Sequence, residues 1–445
     1  MSVIISSGLK DLPLIRAALK NDVQWVDKEV KSGGNVNFIK PMKINGVYVD
    51  SALSIAGNRG YVEIVKAILA SGLVNQFTKD SALYGAITYK QLDSARIFLQ
   101  SGANPNRAIN PNNFTSNALT ASRYSMDKKV RAFFKYTHPE DYLRAKESVK
   151  RREFYNIAET RNCHSTLQFL GSEEKETITL GEMDPELVCF RIVQSMKKFQ
   201  AVVPDMITKE EGSMIQKIFG KFSNGLDFTE GKEDLFFQTG FESIQHASYV
   251  VVRNDKLFLC DQVDPQDPIN CVYEIVGKIP EEFLSQIKVF PDQNSYEDFV
   301  ENLSLQPFLR VQEMTSEMDK HIATVEKSTP TCKWTNCLKA VYSVFLSNAS
   351  DMSTLQKAIR QFLNWRLFYE SRFLAKDIEK KIVALRLKQP VFLPDITLYK
   401  EVLSHLKKIV SVHQGSEKDF FAPPILAILQ QCELEIEVVA SLSKN

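Results

Sequence analysis

At 445 residues the chain is too long for one ordinary hydrophobic core, and its 44% hydrophobic and 24% charged content is that of a soluble globular protein of two or three domains. No apolar run reaches the ~20 residues of a membrane span, and a formal charge of +1 removes any global electrostatic case for direct nucleic-acid binding. Seven cysteines without a C-x-x-C pair, behind an N-terminus (MSVIISSGLKDLPLI) that lacks the basic flank of a signal peptide, fit free thiols in a reducing compartment, with no metal site or cofactor expected.

The first predicted elements are repeats. Ser51-Ala52-Leu53-Ser54-Ile55-Ala56 aligns with Ser81-Ala82-Leu83-Tyr84-Gly85-Ala86, and more loosely with Asn117-Ala118-Leu119-Thr120-Ala121. Each of the first two blocks runs on into a second apolar-periodic helix, Val62 to Leu69 and Leu92 to Leu99, where small alanines allow close packing. Then come Ser32-Gly33-Gly34, Ser71-Gly72-Leu73 and Ser101-Gly102-Ala103, whose glycines supply left-handed helix exits. Helix pairs closed by S-G-A-x-x-N turns resemble ankyrin repeats, although S-A-L-S and S-A-L-Y replace the T-P-L-H signature. The reading gives about four repeats over residues 8–136, with Leu12 to Val30 as an atypical first cap and Ala118 to Tyr136 as the last. Two connections exceed what a repeat needs: Phe38 to Asp50, with the hairpin-forming Asn45-Gly46, and Ala108 to Ser116, with Asn113-Phe114. Asn45, Gly46, Asn113 and Phe114 are therefore candidate partner contacts.

A helical linker is assigned to residues 137–154, and beyond it the pattern changes to mixed strands and helices, a second domain placed at 155–345. Its clearest element is Ser248 to Arg253 and Lys256 to Asp261 around Asn254-Asp255. A two-residue turn sets Arg253 opposite Lys256 and Ser248 opposite Asp261, so that Asp261 and His246 share a sheet face diagonally. The second element is Thr331-Cys332-Lys333-Trp334-Thr335-Asn336-Cys337 ahead of Leu338, Val341, Tyr342 and Phe345. Thr331 is a natural N-cap, and Cys332 then falls in the first turn, where unpaired amides and the helix dipole favour a thiolate.

Cys332-Lys333-Trp334-Thr335-Asn336 at the start of an apolar helix resembles the C-x-W-x-N motif of papain-like cysteine-protease domains in bacterial effectors, permuted so that the histidine hairpin precedes the cysteine. With the repeats, the chain resembles the ankyrin-repeat type IV effectors of Legionella. The resemblance implies Cys332 as nucleophile, His246 as general base and Asp261 as the acid that orients it, acting on a peptide or isopeptide bond. It also implies secretion into a host cell, to cytoplasm or nucleus, and a host-protein partner of the nuclear RNA-regulatory kind. One departure is Glu326, six positions before the cysteine, where such enzymes carry an oxyanion-stabilising glutamine. Gln238, Gln245 and Gln262 stand as alternative donors.

Other residues read as structural. Cys337 is expected in the core, Cys163-His164 cannot both face one reactant, and His321, on Glu317 to Glu326, is an alternative base. Gly212 to Ser223 lacks P-loop spacing, which leaves only an unconventional nucleotide site as an option. Residues 346–445 read as a helical bundle with the charges of Asp377 to Lys381 on a solvated face. The tail from Glu433 resembles a type IV translocation signal of the Legionella kind. The fold class expected is thus α+β multidomain: an ankyrin solenoid, a permuted papain-like domain and a C-terminal bundle. The rival function is a non-catalytic interaction effector whose protease-like pocket only binds.

Overall fold

The computed structural model describes residues 13–38, 42–44, 47–49, 51–107, 109, 117–124, 127–159, 161, 185–222, 228–230, 234–239, 248–261, 271–287, 290, 293–323, 332–389, 391, 396–414 and 420–443. The fold is mixed α and β, and the chain divides into two compact units, Met1–Lys150 and Arg151–Asn445.

In the first unit helices follow one another in pairs: α1 (Pro13–Leu19) and α2 (Val23–Lys31), α3 (Ala52–Arg59) and α4 (Val62–Ala70), α5 (Gln76–Thr88) and α6 (Leu92–Gln100), α7 (Ala118–Tyr124) and α8 (Lys128–Thr137). Odd-numbered helices α1, α3, α5 and α7 pack in one row, while α2, α4 and α6 pack in another, so each pair buries its apolar stripe against the next. Gly33, Gly72 and Gly102 hold φ of 86°, 70° and 85°, the left-handed exits anticipated at the S-G turns. Asparagines stitch these turns together: Asn37 Nδ2 donates to Leu73 O at 2.7 Å, and Asn75 N donates back to Asn37 Oδ1 at 2.7 Å. The aligned serines differ in place. Ser51 is the N-cap of α3, whereas Ser81 lies inside α5, because Asn75 caps that helix earlier through Thr78 N. Between α2 and α3 a small hairpin pairs β1 (Met42–Ile44) with β2 (Val47–Val49), Ile44 opposite Val47. Asn45, Gly46, Asn113 and Phe114 themselves lie outside the described residues.

Helix α9 (Pro139–Glu159) leads into the second unit, followed by α10 (Pro185–Val202) and α11 (Lys209–Phe222). A six-stranded antiparallel sheet is then laid down in chain order: β3 (Phe228–Glu230), β4 (Asp234–Thr239), β5 (Ser248–Arg253), β6 (Lys256–Cys260), β7 (Val272–Ile275) and β8 (Leu309–Arg310). Among the described residues two α-helices, α12 (Glu281–Gln286) and α13 (Gln293–Glu301), and a short 3-10 helix, Leu303–Leu305, separate β7 from β8. Among the described residues five more helices follow: α14 (Glu313–Ala323), α15 (Cys332–Leu346), α16 (Met352–Arg386), α17 (Ile396–Gln414) and α18 (Pro423–Leu442).

Both sheet faces are covered, which explains why β5 and β6 read as continuous apolar runs rather than as alternation. On one face Val250, Val252, Leu257 and Leu259 pack with Phe283, Phe290 and Tyr296 of the α12–α13 segment. On the other, Phe219 and Phe222 of α11 meet Phe236 at 5.1 and 5.2 Å between ring centroids.

The C-terminal helices, read from sequence as a separate region from residue 346, belong to the same compact unit as the sheet. Helix α15 is buried nearly all round and needs cover on its far side. Tyr342 stacks on Phe362 of α16 at 4.0 Å, and Trp334 faces Tyr369 at 5.7 Å. The solvated face expected at Asp377 to Lys381 holds for Glu379 and Lys380, which are exposed, but not for the two ends of the run. Asp377 and Lys381 are buried, paired at 2.5 Å, and both bond Tyr399 Oη, since α17 covers that side of α16.

Candidate active site

The β5–β6 hairpin forms in the register its turn dictates. Arg253 pairs with Lys256 and Tyr249 with Cys260, while Asn254 and Asp255 take φ of 49° and 55°, the left-handed pair of a type I′ turn. Asp261 follows the last residue of β6, and its side chain is buried at the strand end, where helices from both faces reach it.

From α13, Tyr296 Oη donates to Asp261 Oδ2 and also contacts Ser248 Oγ at 3.0 Å, tying the two ends of the hairpin together. From α15, Asn336 Nδ2 donates to Asp261 Oδ1 at 3.4 Å, and Lys339 Nζ donates to the Asp261 carbonyl at 2.5 Å. Burial, with the adjacent Asp261 charge next, pushes the Tyr296 phenol well above its usual range, so it remains a protonated donor. Asp319 of α14 also lies in the field of Lys339. Burial raises its carboxyl, against the pull of the Cys271 amide, which donates to it at 2.8 Å, and of the Lys339 charge.

Helix α15 presents one polar seam to the hairpin. Asn336 and Lys339 hold Asp261, Ser343 Oγ meets Cys260 Sγ at 3.3 Å, and the Ser347 carbonyl accepts from Asn254 Nδ2 at 3.2 Å and Lys256 Nζ at 3.4 Å. The hairpin turn therefore caps the C-terminal end of α15, and the open end of the hairpin lies toward its first turns. Cys332, the first residue of α15, is one turn before Asn336 on the same helical face.

Of the candidate catalytic residues, only Asp261 has a described side chain. Cys332 is placed by its backbone at the helix start, where the sequence put it, and His246 lies outside the described residues. So do Gln245, Gln262, Glu326, Thr331, Cys163 and His164, together with the side chain of Gln238, whose backbone lies in β4. Cys337 is fully buried with its sulfur 4.0 Å from Cys189, a core residue as expected. His321 is half-buried on α14, and burial holds its imidazole below the usual value. Tyr296 and Lys339 carried no sequence signal: each lies far along the chain from Asp261 and belongs to no motif. Among the described residues no group of three or more His, Cys, Asp and Glu side chains could hold a metal ion. None of the described helices is long and apolar enough to cross a membrane.

Comparison with solved structures finds a similar fold in the Legionella effector AnkH, with a TM-score of 0.57 and 13% sequence identity over 97% of this chain and 93% of that one. At that identity the likeness is one of fold. No protein-family model matches the sequence. No curated protein matches it either.

Proposed function

We propose that this protein is a translocated effector of the Legionella ankyrin class, which binds a host protein through its N-terminal helix pairs and carries a thiol-hydrolase site in its second unit. In this reading Cys332 is the nucleophile, His246 the general base and Asp261 the acid that orients the imidazole. The fold likeness to AnkH supports the effector assignment. The ankyrin reading of the first unit is supported by its paired helices, its left-handed glycine exits and its turn-to-turn asparagine bonds. Asn45, Gly46, Asn113 and Phe114 are the proposed partner contacts, and the partner is a host protein of the nuclear RNA-regulatory kind.

The observation that carries the catalytic reading is the contact of Asn336 with Asp261. One helical turn, about 6 Å, separates Asn336 from Cys332, and His246 precedes Ser248, the first residue of β5, by two positions in sequence. Cys332 is thus one turn from the level at which helix and hairpin are bonded together, and His246 is two sequence positions from the hairpin's open end. In the reaction, the Cys332 thiolate would attack the carbonyl carbon while the imidazolium of His246 gives its proton to the leaving amine, and water would then release the acyl group from sulfur. The interaction-only reading draws support from Glu326, an acceptor where an oxyanion donor is needed.

The test is the pH dependence of alkylation at Cys332, read by mass spectrometry in the full chain and in His246→Ala. Interference from the described free cysteines is low, since they are buried, with Cys260, Cys271 and Cys432 pushed up to about 12 by burial. Reaction well below the ordinary thiol range, lost in His246→Ala, supports the pair. A Cys332 indifferent to His246 refutes it and leaves the interaction-only reading. Retention of partner capture by Cys332→Ala, together with loss of its effect on host cells, separates catalysis from binding.

A further inference from the structure

The second unit gathers cations at one place although the chain as a whole is nearly neutral, with 55 Lys and Arg against 54 Asp and Glu. Arg191 and Lys198 lie two turns apart on one face of α10, and Arg372 and Lys376 lie one turn apart on α16, which packs against it. The two helices are joined at this point by Phe199 and Phe368, whose ring centroids are 5.4 Å apart. The guanidinium of Arg372 sits over the Phe368 ring at 5.7 Å, and Lys198 immediately precedes Phe199 on α10.

The adjacent acid is already engaged. Glu153 is buried, lies 3.0 Å from Arg191 Nε through one oxygen and accepts from Tyr369 Oη through the other. Among the described residues Lys198, Arg372 and Lys376 form no ion pair, and Arg372 Nε is buried without a hydrogen-bond partner. Burial lowers the Lys198 ammonium first, and the like charges of Lys376, Arg372 and Arg191 lower it further, against a smaller opposing pull from Glu153. Cations lying in one another's field repel, and a multiply charged anion would relieve the repulsion. A planar guanidinium fork beside two ammonium groups suits phosphate oxygens, the fork for paired hydrogen bonds and the lysines as mobile point charges.

We propose that Lys198, Arg372 and Lys376, backed by Arg191, form a binding site for a clustered phosphate anion, either a soluble polyphosphate or the headgroup of a phosphoinositide. The site does not depend on the thiol-hydrolase reading.

The test uses the full chain and the double variant Lys198→Gln, Lys376→Gln, neither position belonging to the candidate active site. Tripolyphosphate is titrated by calorimetry, and phosphatidylcholine vesicles with and without phosphatidylinositol bisphosphate are used in co-sedimentation. Binding in either arm that falls at least about tenfold in the double variant supports the site, and the arm that responds identifies the source of the phosphate. Binding in neither arm, or binding that the variant retains, overturns it. Thermal unfolding without anion gives a second reading. Removing two repelling charges should leave the midpoint unchanged or raised, whereas a marked fall would show that the lysines are structural and would also overturn the proposal.

Discussion

Asn336 Nδ2 lies 3.4 Å from Asp261 Oδ1 across 75 positions of sequence, joining the first turns of the cysteine helix to the open end of the β5–β6 hairpin. Bonds at the other end of the same helix, from Asn254 and Lys256 to the Ser347 carbonyl, set the direction in which helix and hairpin lie. With both ends attached, α15 has little freedom to slide along the sheet.

Tyr296→Phe should test how much of this joint depends on the phenol. The substitution keeps the ring against Phe290, at 5.3 Å, but removes the hydroxyl shared by Ser248 and Asp261. A loss of about 1–3 kcal/mol is expected in denaturant unfolding, because a buried carboxylate loses a donor. If Asp261 orients His246, alkylation at Cys332 should slow in the same variant even where the protein remains folded.

The buried pair on α16 should respond asymmetrically. Asp377→Ala leaves Lys381 enclosed without its carboxylate and should destabilise by about 3 kcal/mol. Replacing both, Asp377→Leu with Lys381→Met, should recover most of that loss, since no charge then remains buried. A denaturant double-mutant cycle gives the coupling, and simple additivity would mean that the pair contributes no specific interaction.

Acid should weaken the second unit through His413. Its ring stacks on Phe420 at 4.7 Å, and burial holds its imidazole below the ordinary value of 6.5. His321 is lowered in the same direction by burial. Since the unfolded chain binds these protons more readily, the stabilisation is present above about pH 6.5 and is lost as pH falls through the lowered folded-state values. His413→Phe keeps the stacking and removes the titration, so the acid-side slope of melting temperature against pH should flatten.

Gly57→Ala should destabilise the first unit. A methyl there would lie 2.8 Å from the Phe98 ring, which is fully buried and has no room to retreat. The expected loss is about 1–3 kcal/mol. Monitoring the tryptophan of α2, Trp25, against far-ultraviolet circular dichroism of the whole chain should localise the change to this unit.

Much of the local structure was legible in the order of residues. Asn254-Asp255 between two β-rich runs specified a two-residue turn, and the turn specified every pair from Arg253–Lys256 to Tyr249–Cys260. Glycines after α2, α4 and α6 marked the exits, because only a residue without a Cβ takes positive φ at no steric cost. The start of α15 at Cys332 followed from the polar stretch before it and the apolar period after it.

Contacts between distant elements were decided only in three dimensions. The sequence around Tyr296 and Lys339 gives no sign that both meet Asp261, since which side of a helix faces a strand end depends on how all the apolar stripes are buried together. The same holds for Asp377 and Lys381, whose i, i+4 spacing is equally that of an exposed pair until α17 covers it. Sequence determined what turn angles and apolar period can dictate over a few residues; packing decided which polar groups lost contact with water and therefore had to find one another.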